Sequence, residues 1–440
     1  MYVLHPSLVV TMDKNMRILR DVYLGITNGV ISEISKEKPK DAEEIVELPG
    51  RIIIPGLINA HTHVAMVILR GLKDDVDLMT WLNKYIFPAE ACLNADDVYY
   101  GSLYGISEML SSGITTFNEM YYFMEKIAQA TIETGVRSVL SLGILDLVSE
   151  DRTPEKEIKK AHDFLGNLEK LWNIDKKLKE RLFFAYGPHA PYTCSEELLR
   201  RVAELAKKKK VRVHIHLSET KSEVQQIKEK TGKTPIQYLE SIGFLGENVM
   251  AAHVVWPTEN DLQILSHYKV NVLHNPISNL KLASGIAPID KMFSYNINVA
   301  LGTDGAASNN RLDMFREMHL AALIHKGNNL DPKIVSAREV LKMATINGAR
   351  ALGLENQIGS IEINKFADLV VLNAKKVISA WPKHDIYSRI VYAMDRNAVE
   401  RVMVDGKWVW VEGKPININI ESLRERIQEI RDHIEHEIAT

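Results

Sequence analysis

Closely spaced histidines are the residues of this sequence best suited to bind a metal ion. His61 and His63 stand two residues apart at the end of an apolar run that begins at Ile58. Because side chains on a strand alternate between its two faces, both imidazoles would point the same way, about 6.6 Å apart along the chain. Such a pair can converge on one ion, and imidazole is a common zinc ligand. The run therefore predicts part of a metal site.

Further candidates follow short apolar runs in the same way: His214, His216 with Glu219 downstream, His253, His274, and Asp304 in the run Gly302–Gly305. A single histidine in such a place is usually a packed residue, but the group as a whole predicts a metal site. His214 and His216 would face the same side of their strand, so spacing alone does not choose between them. The position nearer the end of the strand favours His216, which would leave His214 one layer deeper.

The surrounding pattern predicts the scaffold that brings these residues together. Between residues 58 and 351, short apolar runs alternate with amphipathic stretches such as Glu196–Lys209. Eight strands are predicted, at 58–63, 113–118, 137–142, 182–186, 212–217, 249–253, 270–274 and 298–302. Strands that alternate with helices predict an α/β fold with a closed (β/α)8 TIM-type barrel, and an open doubly wound sheet is the alternative. Such barrels carry their chemistry at the C-terminal ends of the strands, where the candidate residues stand.

The two chain ends predict a small second unit. Short strands are expected at 8–12, 23–27, 30–34, 51–54, 366–372 and 402–411, with hairpin turns at Asn28-Gly29 and Asp405-Gly406. We expect a β-sandwich domain formed by residues 1–55 and 361–440 around a barrel at 56–360. A last helix with an apolar stripe from Ile420 to Ile438 should pack against its own chain.

Composition excludes several classes of protein. The 440 residues include 54 Lys and Arg against 57 Asp and Glu, a net charge of −3, which leaves no global electrostatic footprint for nucleic acid or an anionic membrane. No apolar run reaches the ~18 residues of a membrane span, and no leader pattern is seen, so we expect a cytoplasmic protein. The two cysteines, Cys92 and Cys194, are too few for a cysteine-based metal site, so nitrogen and oxygen must bind any metal.

Three neutral imidazoles with one carboxylate suit Zn²⁺, with Fe²⁺ or Mn²⁺ as alternatives. A metal-bound water loses its proton near neutral pH, which predicts hydrolysis at an electrophilic carbon. A second ion would need a bridging ligand such as a carboxylated lysine, and the predicted strands 113–118, 137–142 and 182–186 contain no lysine. A single ion is therefore predicted, with Glu219 as the acid placed to move protons.

The motifs together resemble the amidohydrolase superfamily, and most closely the 5-methylthioadenosine/S-adenosylhomocysteine deaminase family of its ATZ/TRZ-like branch. The resemblance rests on Pro55–His63, His216–Glu219, Ala252-His253, Gly302–Gly305, Phe366–Leu372 and the Asp405-Gly406 turn. It implies hydrolytic deamination of an adenosine-type nucleoside, such as 5′-methylthioadenosine, 5′-deoxyadenosine, adenosine or S-adenosylhomocysteine, to the inosine analogue and ammonia.

The resemblance also implies a role for individual residues. It makes His61, His63, His216 and Asp304 the metal ligands, while Glu219 transfers a proton at the ring nitrogen, His253 orients the hydroxide, and Asp304 takes the proton of the water. Contacts to the substrate would come from Glu90 at the ribose hydroxyls, His189 at N3 of adenine, Trp81 as an apolar wall, and Arg152.

One position departs from the family pattern. Relatives that accept S-adenosylhomocysteine clamp its carboxylate with two arginines, but the first position here reads Ser141-Leu142-Gly143, and only Arg152 matches the second. This change favours uncharged 5′ groups. The alternatives are a guanine, cytosine or aminofutalosine deaminase, a triazine chlorohydrolase, or a metal-binding barrel without activity. The resemblance further suggests a homo-oligomer in which a neighbouring subunit completes the pocket.

Overall fold

The computed structural model describes residues 1–439, whose strands form two sheets. The strands are β1 (Tyr2–Val10), β2 (Ile18–Arg20), β3 (Tyr23–Thr27), β4 (Val30–Ser35), β5 (Glu44–Pro55), β6 (Leu57–Thr62), β7 (Ile114–Tyr121), β8 (Arg137–Ile144), β9 (Leu182–Pro188), β10 (Arg212–Leu217), β11 (Val249–His253), β12 (Asn271–His274), β13 (Val299–Leu301), β14 (Leu369–Leu372), β15 (Val399–Val404), β16 (Lys407–Val411) and β17 (Lys414–Pro415). The longer helices are Ala95–Ser111, Met124–Thr134, Pro154–Ile174, Glu196–Lys209, Lys221–Thr231, Glu259–His267, Met314–Asn329 and Ile420–Ala439. Shorter helices include Leu78–Trp81, Phe87–Ala91, Pro235–Ser241, Pro276–Lys281, Ile289–Ser294, Ala306–Asn309, Ala337–Met343 and Ile346–Leu352.

Strands β6 to β13 are parallel and pair in chain order, which confirms the predicted (β/α)8 barrel. The residues directly after the last strand bond to the first strand: the amide of Asp304 donates to the His61 carbonyl at 2.9 Å, and the amide of Thr303 donates to the side-chain Oδ1 of Asn59 at 2.9 Å. Each of the eight predicted strands corresponds to an observed one. The prediction for β7 ended too early, at Asn118, whereas the strand continues to Tyr121.

The second sheet is mixed and combines both chain ends, as predicted. Its nine strands include β5, which pairs in parallel with β1 and antiparallel with β14, so the first and last parts of the chain meet there. The sheet curls until the β3–β4 turn reaches Ala367, whose amide donates to the Gly29 carbonyl at 2.8 Å. Gly29 has φ +84°, and a Cβ there would collide with Asp405. The domain boundaries at 55/56 and 360/361 stay a prediction.

The final helix, Ile420–Ala439, packs against Ala95–Ser111 of its own chain, as its apolar stripe predicted. Leu423, Ile430 and Ile434 are buried in this contact, whereas Ile438 is exposed. Among the described residues, no helix combines the length and apolar character needed to cross a membrane.

A buried ion pair joins the barrel to the second sheet. Arg137 at the start of β8 binds Asp368 through two hydrogen bonds, Nε to Oδ2 at 3.0 Å and Nη2 to Oδ1 at 3.1 Å. Both side chains are at least 97% buried, and the guanidinium also lies over the Phe366 ring. The two carboxylate oxygens and the fork of the guanidinium match in geometry, which fixes one sheet against the other.

Removing this arginine should destabilise the protein strongly. Arg137→Ala would leave Asp368 buried without its partner, and breaking a buried pair in this way costs about 3–5 kcal/mol. Urea unfolding followed by circular dichroism measures the loss. Lys159→Ala, which removes an exposed pair with Asp163, is the control and should cost less than ~1 kcal/mol. An Arg137→Ala midpoint equal to that of the wild type would contradict the prediction.

Candidate active site

The predicted metal ligands converge at the C-terminal end of the barrel. Asp304 Oδ1 lies 3.3 Å from His61 Nε2 and 3.3 Å from His63 Nε2. The ligand atoms of these three residues lie within 4.8 Å of one another, and so do those of His61, His216 and His253. His216 is thus part of the same cluster, and the structure adds His253 at its edge.

Each of these imidazoles is oriented by a hydrogen bond at its Nδ1. His63 Nδ1 donates to the Met120 carbonyl at 2.6 Å, and His216 Nδ1 donates to the His189 carbonyl at 2.8 Å. His61 Nδ1 lies 2.8 Å from Nε2 of His214, which is one layer deeper, as the sequence predicted. These bonds leave Nε2 of the three cluster histidines free to face the same point.

The donor set fits a divalent cation. Nε2 of His61 is buried and has no hydrogen-bond partner among the described residues. Burial lowers the pKa of His61 to about 4 and that of His216 well below its usual value, so both rings are neutral, as ligands must be. Burial raises the pKa of Asp304, but the His61 and His63 rings beside it outweigh this effect and hold the pKa well below its usual value, so the carboxyl is ionised. Burial lowers the pKa of His63, but Asp304 beside it raises the pKa to about 9. The carboxylate therefore favours a positive charge at this point of the cluster.

Two serines hold the other oxygen of Asp304. Ser278 Oγ donates to Oδ2 at 2.6 Å and Ser308 Oγ donates to the same atom at 2.9 Å. Asp304 itself has φ +60°, a left-handed conformation that turns the chain after β13. Oδ1 therefore remains available to the cluster. The sequence analysis did not identify either serine, although Ser308 follows Asp304 by four residues on the short helix Ala306–Asn309.

Glu219 and His253 stand together beside the cluster. His253 Nε2 lies 3.7 Å from Glu219 Oε2, and Ser284 Oγ donates to Glu219 Oε1 at 3.2 Å. Burial raises the pKa of Glu219, which increases the protonated fraction of its carboxyl near neutral pH. His253 Nδ1 donates to Asn279 Oδ1 at 2.8 Å, so its Nε2 faces the site as an acceptor.

A cleft opens in front of these groups. The predicted substrate residues Glu90, His189 and Trp81 line it, along with apolar and aromatic side chains: Met66, Leu78, Leu82, Ile86, Phe87, Tyr121, Tyr122, Leu145, Tyr192 and Leu282. Arg152 does not belong to this lining, and its Nη1 lies 3.6 Å from Glu157 Oε2.

The polar groups of the cleft wall have shifted pKa values. Burial raises the pKa of Glu90 to about 7, against the opposing effect of the Tyr121 hydroxyl. Burial lowers the pKa of His189 to about 4, and its Nδ1 lies 3.0 Å from Thr193 Oγ1. The wall therefore offers hydrogen-bonding groups with little net charge.

Glu119 is a buried acid beside the site that the sequence analysis missed. It lies on β7, one residue beyond the end of the predicted strand, and its Oε2 accepts from the amide of Val64 at 2.7 Å. This bond fixes the backbone directly after His63. Burial raises the pKa of Glu119 to about 8. The signal available in the sequence was the pair Met120-Tyr121, which resumes the apolar pattern after Glu119.

His274, which the sequence offered as a further candidate, lies outside the cluster. Its Nε2 is 3.1 Å from Nε2 of His325 on the helix Met314–Asn329, and both rings are buried. This histidine pair packs between β12 and that helix.

The barrel and the cluster of imidazoles and carboxylate define the class of barrel hydrolases whose site lies at the C-terminal face. Residues 52–409 match the model of the amidohydrolase family, and the chain belongs to this family. It is 46% identical over 401 residues to the 5′-deoxyadenosine deaminase of Methanocaldococcus jannaschii. The alignment covers 91% of this chain and 93% of the relative.

Two further relatives agree with this family. The chain is 46% identical to the 5-methylthioadenosine/S-adenosylhomocysteine deaminase of Thermococcus sibiricus, over 90% of this chain and 91% of the relative. Its fold is similar to the crystal structure of an adenosine deaminase from Xanthomonas campestris with bound zinc. The TM-score is 0.92 at 34% identity, and the match covers 99% of this chain and 98% of the other.

Proposed function

We propose that this protein is a hydrolytic deaminase of adenosine-type nucleosides that releases the inosine analogue and ammonia. The observation that carries the proposal is the pairing of Glu219 and His253 beside the ligand cluster, at the end of a cleft lined by apolar and aromatic side chains. The names of the relatives at 46% identity, which are 5′-deoxyadenosine and 5-methylthioadenosine/S-adenosylhomocysteine deaminases, support the same reaction.

We propose that His61, His63, His216 and Asp304 bind one divalent ion, with Zn²⁺ expected and Fe²⁺ or Mn²⁺ as alternatives. The buried, unpaired Nε2 of His61 and the zinc bound to the Xanthomonas campestris relative support this assignment. When bound, such an ion supplies a water of lowered pKa as the nucleophile.

The residues around the cluster then divide the proton transfers among them. Glu219, protonated more readily because it is buried, donates a proton to N1 of the adenine ring, so that C6 can accept the attacking oxygen. His253 Nε2 accepts a hydrogen bond from the water and orients it, since Asn279 holds the opposite ring nitrogen. Asp304 Oδ1 takes the proton of the water, because Oδ2 is occupied by two serines. Asp304 then passes the proton it took to the amino group, which leaves as ammonia, and Glu219, having given its proton to N1, accepts the remaining hydroxyl proton as C6 becomes a carbonyl.

The cleft wall supplies the contacts to the rest of the nucleoside. Glu90 accepts hydrogen bonds from the ribose hydroxyls, His189 meets N3 of adenine, and Trp81 forms an apolar wall. Trp81 Nε1 is already used, since it donates to the Lys73 carbonyl at 3.1 Å, so the ring offers its apolar surface. Arg152 is engaged by Glu157 and would reach the substrate only after leaving that partner.

Substrates with an uncharged 5′ group should therefore be preferred. We expect kcat/KM for 5′-deoxyadenosine, 5′-methylthioadenosine and adenosine to exceed that for S-adenosylhomocysteine by about 10- to 100-fold, the value of one or two hydrogen bonds to a charged group. Steady-state assays with all four nucleosides on one metal-loaded sample measure this. Comparable kcat/KM values for all four nucleosides would contradict the expected preference.

The loss of absorbance as adenosine becomes inosine tests the function itself. A parallel panel of guanine, cytosine, aminofutalosine and a chlorotriazine distinguishes the other reactions of the same branch. Turnover of one of these with no deamination of adenosines would replace the proposal, and no turnover at all would favour a binding protein. We also propose a cytoplasmic homo-oligomer, for which light scattering of the purified protein measures the mass.

A further inference from the structure

Glu223 is a buried carboxylate behind the turn that carries Glu219. It lies in the first turn of the helix Lys221–Thr231, is 5% exposed, and does not line the cleft. Its Oε1 accepts from the amide of Ser218 at 2.8 Å and its Oε2 accepts from the amide of Glu219 at 2.7 Å. Both oxygens of Glu223 are thus bonded to the backbone on which Glu219 sits.

This arrangement differs from an ordinary capping box. Thr220 is the N-cap of the helix, and its hydroxyl accepts from the amide of Glu223 at 3.1 Å. In a capping box the glutamate would return a bond to the amide of the N-cap residue itself. Here the carboxylate does not bond to the amide of Thr220 but accepts from the amides of the two residues before it. Its bonds therefore stabilise the turn ahead of the helix.

The same turn also forms hydrogen bonds with the residues that follow His253 in the chain. Ser218 has φ +51°, a left-handed conformation that is unfavourable for serine and needs support from its surroundings. Its carbonyl accepts from the amides of Val255 at 2.9 Å and Trp256 at 3.1 Å. Glu223 thus holds one side of a turn whose other side is bonded to the residues that follow His253.

We propose that Glu223 is a positioning residue, which fixes the Ser218 turn so that the Glu219 carboxyl stays beside His253. This role rests on the proposed function, because it assumes that Glu219 moves the proton. If either amide loses its acceptor, Ser218 can relax towards ordinary backbone angles and carry the Glu219 side chain with it. An error of about 1 Å in the position of a reacting group can cost roughly 100-fold in rate.

The test compares Glu223→Gln with a matched control. Glutamine keeps the size of the side chain, but its NH₂ group cannot accept a bond, so one of the two amides loses its partner. We expect kcat for adenosine to fall about 10- to 100-fold, with KM and metal content little changed. Glu339→Gln is the control, because Glu339 Oε2 accepts from the amide of Ser336 at 2.7 Å at the start of another helix. Glutamine keeps one acceptor oxygen, which satisfies this single amide, so Glu339→Gln removes the same charge and should keep a normal kcat.

Binding of purine riboside, an adenosine analogue with hydrogen in place of the amino group, gives a second readout by calorimetry. If Glu223 acts through Glu219, the double variant with Glu219→Gln should bind no more weakly than Glu219→Gln alone. Additive losses, or equal kcat losses in Glu223→Gln and Glu339→Gln, would overturn this role alone. A wild-type enzyme that deaminates no adenosine would refute the proposed function and this role with it.

Discussion

Glu219→Gln should lower kcat for deamination by about 10²- to 10⁴-fold, the usual contribution of a positioned acid or base. The amide keeps the shape of the side chain and can still accept the hydrogen bond from Ser284. It cannot transfer a proton to the ring, however, so C6 remains a poor electrophile. The measurement is kcat for adenosine, together with metal content on the same sample, which should equal that of the wild type.

An exposed glutamate of the neighbouring helix provides the control for this prediction. Glu229 accepts from Gln225 Nε2 at 2.6 Å on the surface of Lys221–Thr231, far along the helix from the turn. Glu229→Gln should deaminate at the wild-type rate. Near-normal turnover by Glu219→Gln would refute the proton-transfer role.

Asp304→Ala should remove both the metal and the activity. Asp304 is the carboxylate of the cluster, and without it three neutral imidazoles remain to bind a cation. The loss of affinity should exceed the ~100-fold that removal of an outer hydrogen-bond partner costs. Metal analysis after dialysis should find about one ion per wild-type chain and almost none in the variant. Added Zn²⁺ should restore chelator-treated wild type but not Asp304→Ala.

Ser308→Ala provides a graded comparison for that result. It removes one of two hydroxyls that bind Asp304 Oδ2 and leaves Ser278 in place. Its affinity for metal should fall about 10- to 100-fold, less than that of Asp304→Ala. An Asp304→Ala protein that still holds one ion per chain would show that this carboxylate is not a ligand.

Strand patterns and the relative depth of the two histidines on β10 could be predicted because they depend on local periodicity. β10 and β11 have the predicted bounds, and the rule that the strand end faces the site placed His216 above His214 correctly. The end of β7 was wrong, because a charged residue normally ends an apolar strand. Glu119 continues the strand instead, and the amide of Val64 donates to one oxygen of its buried carboxylate.

The supporting contacts of the site could not be predicted, because they join distant parts of the chain. Ser278 lies on the short helix Pro276–Lys281 and Ser284 follows it, yet they bind Asp304 and Glu219, which follow two different strands. Serine is a common residue, so nothing in its spacing marks these two. Arg152 is a case in which the sequence offered a contact that the fold does not show. The resemblance implied a contact between Arg152 and the substrate, whereas the fold pairs this arginine with Glu157.

The pairing of β5 with β14 has a consequence for biosynthesis. Arg51, within β5, binds Glu400 on β15, a partner 349 residues later in the chain. During translation β5 therefore leaves the ribosome long before the strand that covers its edge. The nascent protein must form its barrel while an apolar strand edge, Ile52–Ile54, stays open to pairing with other chains. Messages truncated before Leu369 should consequently yield aggregating products, and release of the last seventy or so residues completes the fold.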